Sequence, residues 1–284
     1  MGDNMKRSLS IKSIALFESI RPFTTLLGLG GAYLGGIIAG ASPFSIPLLL
    51  AMVVVGLATA GSMPYNDFFD HEIDKISHPK RPIPSKRITA NEALYFSYVL
   101  FGLALVISFF INYICFGIVL MSIGLLYVYE VFMKNQGFAG NVLVAFMGAI
   151  SFTFGGAAVG KPFASIILSL IAFFLFTGRE ILKDVEDVKG DLLSRVTLPM
   201  RIGEKNAAIV GAVALIIAII LTPFPYILGQ LKIGYLIFIS IVDFICLYAI
   251  IETLKDLRNT TKTVSLLRIA SAVGIVAIII GAIL

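Results

Sequence analysis

Long runs of apolar residues, separated by short polar segments, make up most of the chain. A helix needs about 20 consecutive apolar residues to cross the hydrocarbon core of a bilayer. We therefore predict an all-α membrane protein with nine transmembrane helices, in a single domain over residues 1–284. The predicted spans are residues 22–40, 45–66, 93–111, 113–129, 138–160, 162–178, 206–222, 233–251 and 269–284.

The composition agrees with this pattern. Hydrophobic residues make up 58% of the chain and charged residues 14%, whereas soluble domains are roughly half apolar and a quarter charged. The two cysteines, Cys115 and Cys246, fall inside predicted spans, where we expect them to pack as small apolar residues without a disulfide or a metal. Basic residues are not interleaved with aromatic residues as nucleic-acid binding requires, so we expect no nucleic-acid partner.

The basic residues predict the orientation in the membrane. With the N-terminus in the cytoplasm, only Lys161 and Lys232 of the 22 basic residues fall on the outer side. Cytoplasmic segments of membrane proteins are enriched in Lys and Arg. The sequence therefore predicts a multi-pass protein of the cell membrane, embedded in the lipid bilayer, with its C-terminus outside.

The first polar segment after the second predicted span reads YNDFFDHEIDKISHPKRPIPS, over residues 65–85. Asp67, Asp70 and Asp74 are spaced i, i+3, i+7, which places all three carboxylates on one face of a helix. Asn66 falls at the edge of the same arc. These residues are called the first acidic stripe.

The same spacing recurs in GREILKDVEDVKGD, residues 178–191, as Asp184, Asp187 and Asp191. This second acidic stripe lies at the cytoplasmic end of the sixth predicted span. Both stripes are therefore expected to face one pocket on the cytoplasmic side. The alternative is that each stripe is a solvated helix end. The two matched stripes contain six of the chain's 17 acids. Ionisable groups at membrane depth are costly, which argues against a merely solvated helix end.

Clustered carboxylates repel one another unless a cation lies among them. Ligands that are all oxygen, with no cysteine and little histidine, suit Mg²⁺, which completes its octahedron with water and phosphate oxygens. The stripes therefore predict a magnesium site.

Three prolines, Pro79, Pro82 and Pro84, forbid a continued helix after the first stripe. The resulting stiff loop is expected to keep four basic residues near the acids, and acids with bases indicate a metal with a polyphosphate. Ordinary positive-inside topology is the alternative for each base alone. Arg81 is favoured because an arginine between prolines presents a preorganised fork to phosphate. The four basic residues are Lys80, Arg81, Lys86 and Arg87.

These motifs resemble those of the UbiA-type intramembrane prenyltransferases. Residues 66–74 resemble the family signature NDxxDxxxD, residues 80–85 resemble KRPxPS, and residues 184–191 resemble the second aspartate motif. The resemblance covers most of the chain and implies nine helices around a central cavity, with the active site at the cytoplasmic side. The chain departs from the family at LYVYEVFMKN, which lacks the YxxxK spacing, although Lys134 is still expected to reach the diphosphate.

The resemblance implies transfer of an isoprenyl group from its diphosphate to an acceptor, with Mg²⁺ neutralising the leaving group. The implied catalytic residues are Asn66, Asp67, Asp70, Asp74, Asp184, Asp187 and Asp191. Of these, the implied metal ligands are Asn66, Asp70, Asp74, Asp187 and Asp191. The implied diphosphate-binding residues are Lys80, Arg81 and Lys134.

The second motif is most similar to that of an archaeal branch of the family. There the donor is geranylgeranyl diphosphate, and the acceptor is the hydroxyl of geranylgeranylglyceryl phosphate. Arg21, Arg179 and Lys183 would bind the acceptor's phosphate, with topology as the alternative reason for their charge. An aromatic acceptor of quinone or haem biosynthesis is the alternative reaction. A cation or organic-anion transporter is less favoured, because transporters place their sites near the membrane midplane.

Overall fold

The fold is entirely helical in the part of the chain that the structure describes. This computed structural model describes the backbone of residues 2–191 and 196–284 and the side chains of residues 10–188 and 196–284. Twelve α-helices lie within these ranges. They are α1 (Gly2–Ser19), α2 (Pro22–Ile38), α3 (Ile46–Ser77), α4 (Ala90–Ile111), α5 (Tyr113–Val128), α6 (Phe138–Ala158), α7 (Ile166–Asp191), α8 (Leu198–Ile202), α9 (Glu204–Leu221), α10 (Phe224–Ile227), α11 (Ile233–Lys255) and α12 (Thr260–Ile283).

Each of the nine predicted spans coincides with one described helix, so the prediction of an all-helical membrane protein is confirmed. Among the described residues, seven helices are long and apolar enough to cross a bilayer, and α2 is a shorter apolar helix. The sixth predicted span lies in α7, which has 26 residues. Helix α3 continues 11 residues beyond the predicted end at residue 66, to Ser77. It continues because the first acidic stripe contains no proline, and the first proline of the loop is Pro79.

Helix α6 lies between the two largest groups of buried apolar residues. Ala149 and Phe152 pack with residues of α7, α9, α11 and α12. Phe154 and Ala157, farther along α6, pack with residues of α3, α4 and α5. Helix α6 therefore joins the two halves of the bundle.

Glycines allow α2 to approach α6 closely. A Cβ atom built on Gly35 would overlap the carbonyl oxygen of Phe152, and one built on Gly155 would overlap the carbonyl oxygen of Ala32. Only glycine fits where two helix backbones are this close, as the small residues of membrane helix interfaces allow.

The outer surface of the bundle is apolar. Phe110 and Phe244 are 78% and 72% exposed, as expected of side chains that face lipid instead of water. The two cysteines are buried and free, which confirms that they pack as small apolar residues.

The helix end that carries the first acidic stripe is joined to the next helix by a polar turn. The turn after α3 ends at a capping box that starts α4. The Thr89 side chain accepts from the backbone N–H of Glu92, and the Glu92 carboxylate accepts from the backbone N–H of Thr89. Helix α5 continues into one π-helical turn, Tyr129–Met133, before α6. These two connections position the side chains described next.

Candidate active site

The first acidic stripe lies on the last turns of α3, where two arginines from other segments bind it. The carboxylates of Asp67 and Asp74 are almost fully buried, each residue being 3% exposed. Arg21 Nη2 lies 2.6 Å from Asp67 Oδ1, and Arg81 Nη1 lies 2.8 and 2.6 Å from the two oxygens of Asp74. Arg81 Nη1 is also 3.5 Å from Asp67 Oδ1. These four residues, in the spatial order Arg21, Asp67, Arg81 and Asp74, form the arginine network.

Arg21 has an unusual backbone conformation. It lies between α1 and α2 with φ 47° and ψ 72°, in the left-handed region. A residue other than glycine held there costs about 1–3 kcal/mol and persists only where its surroundings fix it. The ion pair with Asp67 is one such contact, and it places the charge of Arg21 at the stripe.

A second group of residues lies beside the first and contains an acid that the sequence reasoning missed. Glu130, in the π turn, is 7% exposed. Its Oε1 accepts from Asn66 Nδ2 at 2.6 Å and its Oε2 accepts from Lys134 Nζ at 2.8 Å. Lys134 Nζ also donates to Asp70 Oδ1 at 2.6 Å. Asn66, Asp70, Glu130 and Lys134 form the glutamate network.

The sequence does contain a signal for Glu130. It is the only acid between Glu92 and Glu180, a stretch of 87 residues. Because isolated acids in membrane segments are costly, this position alone marks it as a candidate.

The π turn explains the departure from the family's YxxxK spacing. The backbone N–H of Lys134 donates to the carbonyl oxygen of Tyr129 at 2.8 Å, so the two residues are one π turn apart. The turn thus absorbs one residue more than an α-helical turn would. Single π turns of this kind are frequent at functional sites.

The second acidic stripe lies on the last turns of α7 and has different partners. Asp184 is 3% exposed and its Oδ2 accepts from Asn141 Nδ2 at 2.8 Å. Asp187 and Lys183 are half-buried. The side chain of Asp191 lies outside the described residues.

Arg179 precedes the second stripe by little more than one helical turn. Its Nη2 donates to Glu180 Oε1 at 2.8 Å. Its Nε is buried and has no hydrogen-bond partner among the described residues. A buried donor of this kind is free to donate to an anionic oxygen.

The connection between α5 and α6 contacts both stripes. Lys134 binds the first stripe, and Asn141, in the first turn of the following helix, binds the second. Gly137 has φ 60°, and a Cβ there would lie 3.1 Å from the backbone nitrogen of Leu198. Glycine is therefore needed for this close approach to the segment after α7. No hydrogen bond or ion pair joins one stripe directly to the other within the described side chains, so a shared pocket stays a prediction.

The proline-containing turn places only one of its four basic residues against the acids. Arg81 does so, as described above, but Arg87 forms an ion pair with Glu18 of α1 and donates to the carbonyl oxygen of Lys80. The side chains of Lys80 and Lys86 are exposed. The expectation that all four lie at the acids was wrong for Arg87, because α1 supplies it with a carboxylate.

The donor set fits a magnesium ion. No three His, Cys, Asp or Glu side chains among the described residues lie close enough together to hold a metal ion unaided. Mg²⁺ typically needs only one or two carboxylates, with water and phosphate oxygens completing its octahedron. Asn66, Asp70 and Asp187 are half-buried and carry oxygens of this kind, whereas both oxygens of Asp74 accept from Arg81.

An apolar groove begins beside the glutamate network. It has a volume of about 530 Å³, and Met133, next to Lys134, is one of its lining residues. Phe138 and Phe146 in its wall are 46% and 37% exposed, so the groove opens toward the membrane side. It is lined by Leu125, Val128, Met133, Phe138, Ala139, Val142, Leu143, Phe146 and Phe173.

A bundle of apolar helices with buried acids and bases at one end is typical of enzymes that work on lipid-soluble substrates. The model of the UbiA prenyltransferase family matches residues 28–272. The chain belongs to this family and is an intramembrane prenyltransferase, which confirms the resemblance of its motifs.

Similar curated proteins are digeranylgeranylglyceryl phosphate synthases. That of Methanococcus maripaludis (strain C6) is 39% identical over 274 residues, covering 92% of this chain and 97% of the relative. That of Sulfolobus acidocaldarius is 37% identical over 275 residues, covering 96% of this chain and 98% of the relative.

Solved structures have the same fold. A structure of digeranylgeranylglyceryl phosphate synthase superimposes with a TM-score of 0.80 at 34% identity, covering 96% of this chain and 99% of that one. The structure of a UbiA homologue from Archaeoglobus fulgidus bound to DMAPP and Mg²⁺ superimposes with a TM-score of 0.68, covering 93% of this chain and 99% of that one. The latter is 18% identical, so it supports the fold alone.

Proposed function

We propose that this protein transfers a geranylgeranyl group from geranylgeranyl diphosphate to the free hydroxyl of geranylgeranylglyceryl phosphate. The product would be the diether of archaeal membrane lipids. The observation that carries the proposal is the alternation of acids and bases at the end of α3, where Arg81 and Lys134 contact the stripe that would bind the metal. The names of the relatives at 35–40% identity support the choice of substrates.

Mg²⁺ is the proposed cofactor, bound by Asn66, Asp70 and Asp74 of the first stripe and by Asp187 and Asp191 of the second. When bound, it supplies Lewis-acid stabilisation of the negative charge that develops on the leaving diphosphate. Asp67 and Asp184 are more deeply buried than Asp70 and Asp187. Their proposed role is to orient the arginine network and Asn141.

The basic side chains at the first stripe bind the diphosphate in this proposal. Arg81 presents a guanidinium beside Asp74 and Lys134 an ammonium beside Asp70, and the side chain of Lys80 is exposed. Each of these groups donates hydrogen bonds to phosphate oxygens and keeps the leaving group in place after the bond to carbon breaks.

The apolar groove is the proposed site of a prenyl chain. It begins at Met133, one residue from Lys134, so a diphosphate bound by Lys134 would have its chain among apolar side chains. An allylic cation reacts with water, and an apolar groove keeps water from it.

The acceptor carries a phosphate of its own, which needs further positive charge. Arg21, Arg179 and Lys183 are the proposed contacts. The buried Nε of Arg179 supports this assignment, since it lacks a partner among the described residues.

The proposed location is the cell membrane, with the N-terminus and the three basic residues on the cytoplasmic side and the C-terminus outside. The whole chain of 284 residues is proposed to form one domain.

The test is to offer the purified protein in detergent geranylgeranyl diphosphate, Mg²⁺ and one of two acceptors, and to identify products by mass. We expect product with geranylgeranylglyceryl phosphate and none with 4-hydroxybenzoate. Arg179→Ala should raise the KM for the glycerol phosphate by about 10- to 100-fold, because a hydrogen bond to a charged group contributes about 1.5–3 kcal/mol.

Prenylation of the benzoate alone would contradict the lipid acceptor and support an aromatic one. Turnover in detergent, where no gradient exists, would also exclude a purely transport function. A KM for the acceptor that does not change in Arg179→Ala would contradict the assignment of Arg179.

A further inference from the structure

Glu130 has no role in the function proposed above, yet its side chain is more enclosed than those of the two charged residues beside it. The side chain is 0% exposed, whereas those of its neighbours Lys134 and Asp70 are 17% and 20% exposed. A buried carboxylate is costly unless it is paired and hydrogen-bonded. Both of its oxygens are used, one by Asn66 and one by Lys134.

The bond to Asn66 determines which way the asparagine amide faces. A carboxylate only accepts hydrogen bonds, so Glu130 must face the NH₂ group of Asn66 and not its carbonyl oxygen. The carbonyl oxygen is then on the side away from Glu130. Only that oxygen can bind a cation, so the amide orientation decides whether Asn66 can act as a metal ligand.

The bond to Lys134 determines where the ammonium group lies. Glu130 Oε2 and Asp70 Oδ1 lie 2.8 and 2.6 Å from the same nitrogen. The lysine follows the π turn at Tyr129–Met133, which sets where its backbone lies. Glu130 therefore fixes one amide and one ammonium at the same time.

We propose that Glu130 is a positioning residue that orients Asn66 toward Mg²⁺ and Lys134 toward the diphosphate. This inference rests on the function proposed above. Residues that orient metal ligands through a hydrogen bond typically affect metal affinity or activity by 10- to 100-fold when they are changed.

The first test replaces Glu130 with glutamine, which has the same shape but can accept on only one of its two atoms. Glu130→Gln must therefore lose the bond to Lys134 or force the amide of Asn66 to turn over. The probe is Mg²⁺ with inorganic pyrophosphate, and the readout is the thermal stabilisation of the detergent-solubilised protein as the Mg²⁺ concentration rises. We expect Glu130→Gln to need about 10- to 100-fold more Mg²⁺.

Glu252→Gln is the matched control. Glu252, at the cytoplasmic end of α11, also accepts from a lysine and an asparagine, Lys255 and Asn259. We expect this variant to respond to Mg²⁺ and pyrophosphate as the wild type does. An equal shift in both variants, or none in Glu130→Gln, would overturn the proposal.

The second test exchanges donor and acceptor. In the double variant Glu130→Gln with Asn66→Asp, the glutamine NH₂ can donate to one aspartate oxygen and its carbonyl oxygen can accept from Lys134. The other aspartate oxygen is then directed as the asparagine oxygen is in the wild type. We expect the double variant to recover most of the Mg²⁺ response lost in Glu130→Gln, even if the single variant is poorly folded.

A double variant no better than Glu130→Gln would contradict the positioning role. The two proposals fail in different ways. If the wild type responds to Mg²⁺ and pyrophosphate but makes no prenylated glycerol phosphate, the proposed substrates are wrong and the role of Glu130 is still decided by the exchange of donor and acceptor.

Discussion

The two acidic stripes have the same spacing but different surroundings. On α3, the stripe contacts three basic side chains, Arg21, Arg81 and Lys134, from three separate segments. On α7, Asp184 accepts from the neutral amide of Asn141, and among the described side chains the nearby Arg179 donates to Glu180.

The basic side chains at the first stripe indicate its role in the reaction. Acids that are interleaved with bases can bind a metal and a diphosphate side by side, because the carboxylates attract the metal cation and the basic side chains attract the diphosphate. We infer that the first stripe recognises the leaving group together with the metal, and that Asn141 holds Asp184 of the second stripe in place.

The largest expected effect is the loss of either stripe's accessible carboxylate. Asp70→Asn and Asp187→Asn should each lower kcat by at least about 100- to 1,000-fold, as removal of a group that stabilises transition-state charge does. Prenyl transfer is measured at saturating Mg²⁺, with folding checked by gel filtration. Asp256→Asn is the control, since Asp256 pairs with Arg258 at the end of α11. Near wild-type turnover in one aspartate variant would show that its stripe is not needed.

A smaller effect is expected for the base at the centre of the arginine network. Arg81→Lys keeps the charge but loses the planar fork, and Arg81→Ala loses both. We expect the KM for the prenyl diphosphate to rise by about 10-fold in the first and about 100-fold in the second, since each contact with phosphate contributes about 1.5–3 kcal/mol. Steady-state kinetics with each substrate varied would test this. A change confined to the KM for the acceptor would assign Arg81 to the other phosphate.

The sequence predicts the helices better than it predicts these networks. Apolar runs and the absence of charge locate the nine spans, because crossing a bilayer imposes a length on each helix. The spacing of Asp67, Asp70 and Asp74 likewise places them on one helical face. Their partners cannot be read from spacing, because Arg21 and Lys134 lie 46 and 64 residues from the aspartates they bind.

The hydrophobic and polar pattern also does not predict the π turn or the partner of Arg87. The π turn at Tyr129–Met133 changes the spacing of the family's tyrosine-and-lysine element. Lys134 was assigned by resemblance despite that change, and Glu130 was missed. Arg87 was grouped with Arg81 because both belong to the proline-containing loop, but the fold brings Glu18 to Arg87. Pairing across helices depends on tertiary packing, which periodicity does not specify.

The amide that binds the second stripe should matter for stability. Asn141→Leu removes the donor at 2.8 Å from Asp184 and should lower the free energy of unfolding by about 1–3 kcal/mol, because a buried acceptor loses a hydrogen bond. Asn141→Asp places a second carboxylate there and should destabilise more. Unfolding in detergent, followed by circular dichroism, measures both. Equal stability of the wild type and both variants would mean that Asn141 does not hold the second stripe in place.

The smallest expected effect concerns the ion pair between α1 and the turn that contains Arg81. This contact lies near the first acidic stripe, and the second stripe takes no part in it. The hydrogen bond from Arg87 lowers the pKa of Glu18 below its ordinary value of 4.5. A carboxyl whose pKa is lower in the folded protein adds stability above its unfolded pKa, and this stability is lost as the pH falls through the folded pKa. The Glu18 side chain is 48% exposed, so solvent limits the gain to about 0.2–1 kcal/mol.

Glu18→Gln should therefore lower the melting temperature slightly at neutral pH, and this difference should disappear as the pH falls through the folded pKa of Glu18, which lies below 4.5. The difference at neutral pH should shrink in 1 M salt, because ions screen exposed charges. Glu72→Gln is the control, since Glu72 pairs with Lys75 inside α3 and does not connect two segments. A Glu18→Gln effect that persists at low pH would point to packing of the side chain and not to its charge, and the turn with Arg81 would then be positioned without help from α1.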